Sequence, residues 1–340
     1  MSDLFNKLLI IRSPGVGPAR YNELITRFGS AAAVVEMLGP AGTLRDSICR
    51  EMDRADKLNI HYISDSDDLY PKRLRAVKNH PPIITARGNI ETLKKNAVAM
   101  VGTRHATAVG MQFMARLACD FASNGYAVAS GMAMGADTAA HRGALRGANN
   151  SATIAVLAGG ADYIWPMENE SLYYEIIERG VVVSEMPVGF VPLGTNFIQR
   201  NRWIAGVADK VIIGEADKKS GSMTTARFAM DFGREIWAIP SHPSDPRSAG
   251  PNSLIAAGDA KLCTGASDFF NLSEKMPLEK NISQKNESEN YLIDKLGAMP
   301  VSESVLAQIV KKSVSEIKRD LVVLELQGLV RKVDGGYIRM

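Results

Sequence analysis

Val211-Ile212-Ile213-Gly214-Glu215, then Lys218-Lys219-Ser220-Gly221-Ser222, then Thr224-Thr225-Ala226-Arg227-Phe228-Ala229-Met230, is the stretch on which the fold turns. A short apolar run, a glycine-containing loop and a segment of helical spacing predict strand, loop and helix, with Ser220 or Ser222 as the helix cap. The same order recurs upstream. Ala97-Val98-Ala99-Met100-Val101 leads into Gly102-Thr103-Arg104 and a helical pattern of Met111, Met114, Leu117, Ala118 and Phe121, which Gly125 stops. Tyr126 to Ala129 meets Ser130-Gly131 and a helix through His141 and Leu145. Thr153 to Leu157 meets Ala158-Gly159-Gly160, and Gly180 to Ser184 is a further apolar run. Strands alternating with helices, without hairpin turns, predict an α/β fold: a Rossmann-like, mainly parallel sheet with helices on both faces. Ligands of such sheets sit beyond the carboxyl ends of the strands, where small residues let backbone N–H groups come close.

Arg200-Asn201-Arg202 supplies two guanidinium forks and an amide just before this unit. That combination suits phosphate oxygens and base edges. The helix start at Ser220 to Ser222 turns unpaired N–H groups and the positive end of the helix dipole toward the same strand end. The pattern predicts a pocket for a phosphate backbone. A plainer alternative pairs Arg200 and Arg202 with Glu185 or Glu215 at the sheet edge. Net charge is only +3, so local clustering carries the electrostatic argument rather than the total.

A chain of 340 residues with 46% hydrophobic content is long enough for a substantial core and two or three domains. No run approaches the length of a membrane-spanning helix, so no membrane association is expected. Met1-Ser2-Asp3-Leu4-Phe5 lacks the basic region and cleavage pattern of a signal peptide, and the cytoplasm is the expected location. Cys49, Cys119 and Cys263 are scattered, which favours reduced thiols over a disulfide framework or a zinc site.

Four segments are expected. Residues 1–65 form a helical domain in which Ser13-Pro14-Gly15-Val16-Gly17-Pro18 resembles a helix-hairpin-helix turn, a device that offers backbone N–H groups to phosphate. A plain connector between packed helices is the alternative. Residues 66–270 form the Rossmann-like core, with Tyr70 to Ile84 packing beside it. Residues 271–286 form a polar linker. Residues 287–340 follow a winged-helix pattern. Ser313 and Glu316 predict a capping box, and Gly328 to Arg339 a two-stranded wing around Asp334-Gly335. Lys311, Lys312, Lys318, Arg319, Arg331 and Lys332 give that module a basic face for duplex DNA or a protein, or one that is simply solvated.

The same residues bear on enzyme readings. A phosphoribohydrolase-type nucleotide hydrolase uses such a sheet, but Ala158-Gly159-Gly160-Ala161-Asp162 lacks the Thr and Glu of its Pro-Gly-Gly-x-Gly-Thr-x-x-Glu motif. Asp137 and His141 stand at i and i+4, where they could act as acid and base. No nucleophile or metal cluster is spaced to complete a site, and a helix cap and a local hydrogen bond are the simpler roles. Gly131 to Gly135 lacks dinucleotide-binding spacing, and Lys218-Lys219-Ser220 lacks the glycines of a Walker loop. No cofactor and no catalysis are expected. A winged-helix regulator of duplex DNA remains as an alternative, although it leaves the glycine-lined sheet edge without a role.

Several motifs in order make the chain similar to the DNA processing protein A family (DprA, also called Smf). They are Val101-Gly102-Thr103-Arg104, Ser130 to Asp137 with His141, and Thr153 to Gly160 with Tyr163 and Pro166 to Asn169, followed by Arg200 to Gly206 and Lys218-Ser220-Gly221-Ser222. The resemblance implies a dimeric, non-enzymatic single-stranded DNA-binding protein of the bacterial cytoplasm. Such a protein protects incoming DNA and loads RecA onto it during natural transformation, with the homodimer formed through the Rossmann-like domain. Arg104, Arg200, Arg202 and Lys218 are then expected to contact phosphates. Gly102, Thr103, Gly131, Gly159, Gly160, Ser220, Gly221 and Ser222 bring backbone and hydroxyl groups within reach, and Asn201 holds a base edge or orients the arginines. Met134 stands where the family usually has Arg, Trp203 where it usually has Ile, and Ser241-His242 where a Gly after Pro is common. Trp203 either stacks on a base or packs in the core.

Overall fold

The computed structural model describes residues 2–148, 152–270, 290–293, 295–297 and 299–340, in two compact units, Met1–Asn271 and Leu272–Met340. The first unit opens with four helices, α1 (Asp3–Ile11), α2 (Pro18–Phe28), α3 (Ala31–Leu38) and α4 (Gly42–Lys57). Ser2 caps α1 by accepting from Phe5 N at 3.3 Å. Pro18 opens α2, where a missing N–H costs nothing, and Gly29 ends it at φ +79°. Leu8, Leu9, Ile10, Tyr21, Leu24, Val34 and Ile48 form their core, together with Ile83 from the sheet.

The expected boundary at residue 65 falls one element late. Strand β1 (Ile60–Ser64) already belongs to the sheet, pairing antiparallel with β2 (Ile83–Gly88) from Ile60↔Arg87 to Ser64↔Ile83. The Tyr70 to Ile84 segment, expected to lead into the core and pack beside it, passes through a short helix, α5 (Lys72–Arg75), and starts β2 itself.

The remaining strands are β3 (Ala97–Val101), β4 (Ala127–Ser130), β5 (Ala152–Val156), β6 (Val181–Ser184), β7 (Lys210–Ile213), β8 (Glu235–Ala238) and β9 (Lys261–Leu262). They complete a nine-stranded sheet of order β1-β2-β6-β5-β4-β3-β7-β8-β9. Pairing is parallel from β6 to β9 along that order and antiparallel where β2 meets β6 and β1. Covering both faces are α6 (Ala108–Ser123), α7 (Ala136–Arg146), α8 (Glu170–Arg179), α9 (Gly194–Val207), α10 (Gly221–Asp231) and α11 (Ala249–Ala257).

Strand β3 shows why its sequence is a continuous apolar run. Ala97, Ala99 and Val101 join the core that holds Trp203 and Ile204 of α9, while Val98 and Met100 join the opposite core with Leu117 and Phe121 of α6. A strand buried on both faces has no position for a polar side chain. Trp203 is 5% exposed within the first of these cores, so of its two expected roles packing holds and stacking on a base falls.

In the second unit, α12 (Asn290–Ile293), α13 (Glu303–Val310) and α14 (Val314–Leu326) precede β10 (Val330–Val333) and β11 (Gly336–Arg339), an antiparallel pair. Leu292, Leu306, Ile317, Leu321, Leu324, Val330 and Tyr337 form its core. Ser313 and Glu316 make the capping box, with Glu316 N donating to Ser313 Oγ at 3.3 Å and Ser313 N to Glu316 Oε2 at 2.9 Å. The linker expected over 271–286 lies outside the described residues. Lys318 and Lys332 both reach Glu303, at 4.0 and 3.8 Å, so part of the expected basic face carries its own counter-charge.

Candidate nucleic-acid interface

A cleft of about 560 Å³ opens beyond the carboxyl ends of β3, β4 and β7, the position that parallel topology dictates. Gly102, Thr103 and Arg104 line it from the loop after β3. Phe197, Arg200 and Asn201 line it from α9, and Ser220, Gly221 and Ser222 from the start of α10. Ser220 occupies the cap position of α10 but its side chain makes no capping bond; its Oγ lies 2.6 Å from Ser222 Oγ instead. The end of α10 that faces the cleft carries the positive pole of the helix. Asn201 Nδ2 donates to Gly221 O at 3.2 Å, tying α9 to that helix start.

Two aromatic rings complete the wall. The exposed Arg104 guanidinium lies 4.9 Å from the Trp165 ring, and Trp165 meets Phe197 edge-on at 4.5 Å. Neither ring was singled out from sequence. Trp165 sits in the loop after β5 and Phe197 three residues before Arg200, and only the fold brings them to Arg104. A cation plated on an indole beside open helix amides is well suited to a strand whose phosphates and bases both need partners.

Beneath the cleft lies a buried polar cage. Arg200, 5% exposed, donates through Nη1 to Gly131 O and to Val156 O, the latter at 2.7 Å. Burial pushes its pKa down to about 10 and the Arg104 charge adds to that, against the pull of Asp137. It is still charged at neutral pH. Asp137 Oδ2 accepts from Gly131 N at 3.1 Å and Ala133 N at 3.3 Å. Burial raises its pKa, while Arg200 and these amides oppose the rise. Asn169 Nδ2 donates to Met132 O at 2.8 Å, and Met132 is held at φ +64°, a conformation that costs a non-glycine residue about 1–3 kcal/mol. Three buried side chains thus fix one strained loop. A Cβ on Gly131 would stand 2.6 Å from the Arg200 guanidinium carbon, so the glycine makes room for the arginine rather than for a ligand.

His141 is fully buried, with Nδ1 2.6 Å from Thr153 Oγ1. Thr153 spends its own proton on Val128 O, so the imidazole donates from Nδ1 and its Nε2 carries a lone pair with no partner among the described residues. Burial, aided by the Arg200 charge, lowers its pKa to about 3.

Residues 61–274 match the family model described as DNA recombination-mediator protein A, and residues 2–53 match that of the DprA-like N-terminal HHH domain. This chain belongs to the DNA recombination-mediator protein A family. It is 32% identical over 314 residues to the protein Smf of Escherichia coli, across 88% of this chain and 82% of that one. It is 39% identical over 204 residues to the DNA processing protein DprA of Streptococcus pneumoniae, across 60% of this chain and 71% of that one. The solved structure of DprA from Streptococcus pneumoniae superposes with a TM-score of 0.65 at 29% identity, covering 79% of this chain and 96% of that one. A second solved relative is DNA processing protein A from Helicobacter pylori, determined for its single-stranded DNA binding mode. It superposes with a TM-score of 0.56 at 32% identity, over 62% of this chain and 94% of that one.

Within this family fold, the expected contact residues divide. Gly102, Thr103, Arg104, Asn201, Ser220, Gly221 and Ser222 converge on the cleft. Arg200 reaches its floor, where Nη1 donates to Gly131 O and Val156 O and Nε to Asn201 Oδ1 at 3.2 Å. Arg202 does not reach it: its Nη2 donates to Lys78 O at 2.6 Å, on the far side of α9. Gly131 and Gly159 line a smaller adjoining cavity that shares Trp165, Phe197 and Arg200 with the cleft. Gly160 packs against the 187–189 loop, where a Cβ would stand 2.6 Å from Pro187 O. Lys218 is exposed in the turn before α10, outside the cleft lining. Glu215 pairs with neither arginine; it accepts from Thr107 N at 2.7 Å, anchoring the start of α6.

Proposed function

We propose that this chain binds single-stranded DNA in the cleft above β3, β4 and β7 and delivers it to RecA during transformation and recombination. The observation that carries the reading is the convergence of Arg104, stacked on Trp165, with the start of α10. Phosphates meet the guanidinium and the helix pole, and bases meet Trp165 and Phe197. Arg104, Thr103, Gly102, Asn201, Ser220, Gly221 and Ser222 are the proposed contact set. The relationship to Helicobacter pylori DNA processing protein A, solved for its single-strand binding mode, supports it.

The proposed role is not catalytic. Asp137 and His141, the acid-base pair on α7, are buried and engaged with the Gly131 loop and Thr153. A homodimer through the sheet-bearing unit, the RecA partnership and a place in the cytoplasm are proposed on family membership. Among the described residues no helix is long and apolar enough to cross a membrane.

Fluorescence anisotropy of a labelled single strand, titrated at several salt concentrations with duplex of the same sequence as competitor, tests the reading. Salt-sensitive binding that duplex competes for poorly is expected. Duplex winning the competition would move the functional centre away from this cleft.

A further inference from the structure

The far side of α9 borders a second cleft, of about 750 Å³, between the helical domain and the sheet. Val16 and Gly17 of the hairpin turn form one lip, and Phe228 of α10 with Phe232 just past its end the facing wall. Those two rings lie nearly parallel, at 16° and 6.3 Å between centroids. The Arg202 guanidinium lies 4.7 Å from the Trp203 ring and 5.7 Å from Phe232, so a flat cation covers an aromatic floor. Glu185 lines the same space, where burial raises its pKa against the pull of the Trp203 side chain and of Arg202 and Arg12. Ile198, 55% exposed, lines both this cleft and the first.

We propose that the second cleft takes a nucleobase of the same strand that fills the first, the chain crossing Ile198 between them. The proposal rests on the single-strand reading above. A base supplies what this slot requires: a flat face for Phe232 and the Arg202 plane, and an edge of donors and acceptors for Glu185. Arg202 already donates through Nη2 to Lys78 O, but an aliphatic side chain of a partner protein would bury its other N–H groups and the Glu185 carboxyl without adding a polar partner, which is costly. Continuity favours the strand as well, since Ile198 is a shared rim rather than a divider. Gly17 and Pro18, at the start of α2, set a helix pole where the next phosphate would pass.

The test compares labelled strands of about 4 and about 16 nucleotides, the span of site sizes for single-strand binders, on the full chain and on Phe232→Ala. The long strand should lose roughly tenfold in affinity on Phe232→Ala, within the range for one stacked base, while the short strand is unchanged. Photo-cross-linking of an iodouracil-substituted long strand to the unaltered protein gives a readout independent of the variant's folding. Adducts should fall on the Arg202 to Phe232 surface as well as near Trp165. If the short strand binds but the long strand gains nothing and cross-links only near Trp165, the second subsite is overturned and the slot is left to a protein. If neither strand binds, the single-strand reading itself fails.

Discussion

Arg200 and Arg202 stand two residues apart on α9, yet one faces inward and the other outward. Arg200 donates to two carbonyls under the first cleft, beside Asp137. Arg202 lies on aromatic rings at the lip of the second. The same charged side chain is an internal tie in one place and a surface plate in the other. A guanidinium near a binding site therefore contributes in two distinct ways: by touching the ligand, or by holding still the loop that does.

Arg200→Met should have the largest effect. It strips Gly131 O and Val156 O of their donor and leaves Asp137 buried without a counter-charge, at a cost of about 3–5 kcal/mol in urea unfolding. A loss below about 1 kcal/mol would erase the distinction between the two arginines. Gly131→Ala should destabilise by about 1–3 kcal/mol, because the new Cβ meets the Arg200 guanidinium carbon at 2.6 Å. Single-strand affinity should fall with it, although no contact residue has changed.

Arg104→Ala separates touching from holding. Stability should stay within about 0.5 kcal/mol, while the slope of log affinity against log salt should shrink by about 0.7 as one phosphate contact is lost. Arg200→Lys, if folded, should lower affinity and leave that slope alone.

His141→Gln sharpens the account of the cage. The folded-state pKa of His141 is lowered to about 3, whereas the unfolded chain titrates near 6.5. Stability is therefore complete above about pH 6.5 and drains away toward about pH 3, as the unfolded state takes up a proton the folded state refuses. The variant's unfolding midpoint should fall less steeply over that window. Arg202→Ala should leave short-strand binding unaltered, the smallest effect on that binding, and cost about 0.5–1 kcal/mol of stability through its lost cation–π contact.

The five central strands were legible because a strand buried on both faces must be apolar throughout, as β3 is. Four others were not. Strand β2 begins just after Pro81-Pro82, which reads as a connector. Strand β1 was counted with the helices before it, and β8 carries Glu235 and a half-buried Trp237. Strand β9 has only two residues. At the site, the glycine loops and the α10 start announce themselves through local chemistry. Burial of Arg200 and the meeting of Trp165, Phe197 and Arg104 do not, because each depends on segments far apart in sequence. The family pattern pointed to these residues, and only the packing shows which of them face outward.

The antiparallel edge of the sheet has a consequence for how the chain is made. Strand β2 pairs with β6, Thr85 with Ser184, and the central strand β3 waits for β7, Val98 with Lys210. Emerging from the ribosome, the first four helices can collapse early, but the ladders beside them cannot close until more than a hundred further residues have been synthesised. Throughout that interval β2, whose Ile83 completes the helical core, is paired with β1 along one edge only, and its other edge waits for β6. Nascent chains stalled before β6 should therefore be the aggregation-prone species, and chaperone demand should drop once β7 has cleared the exit tunnel.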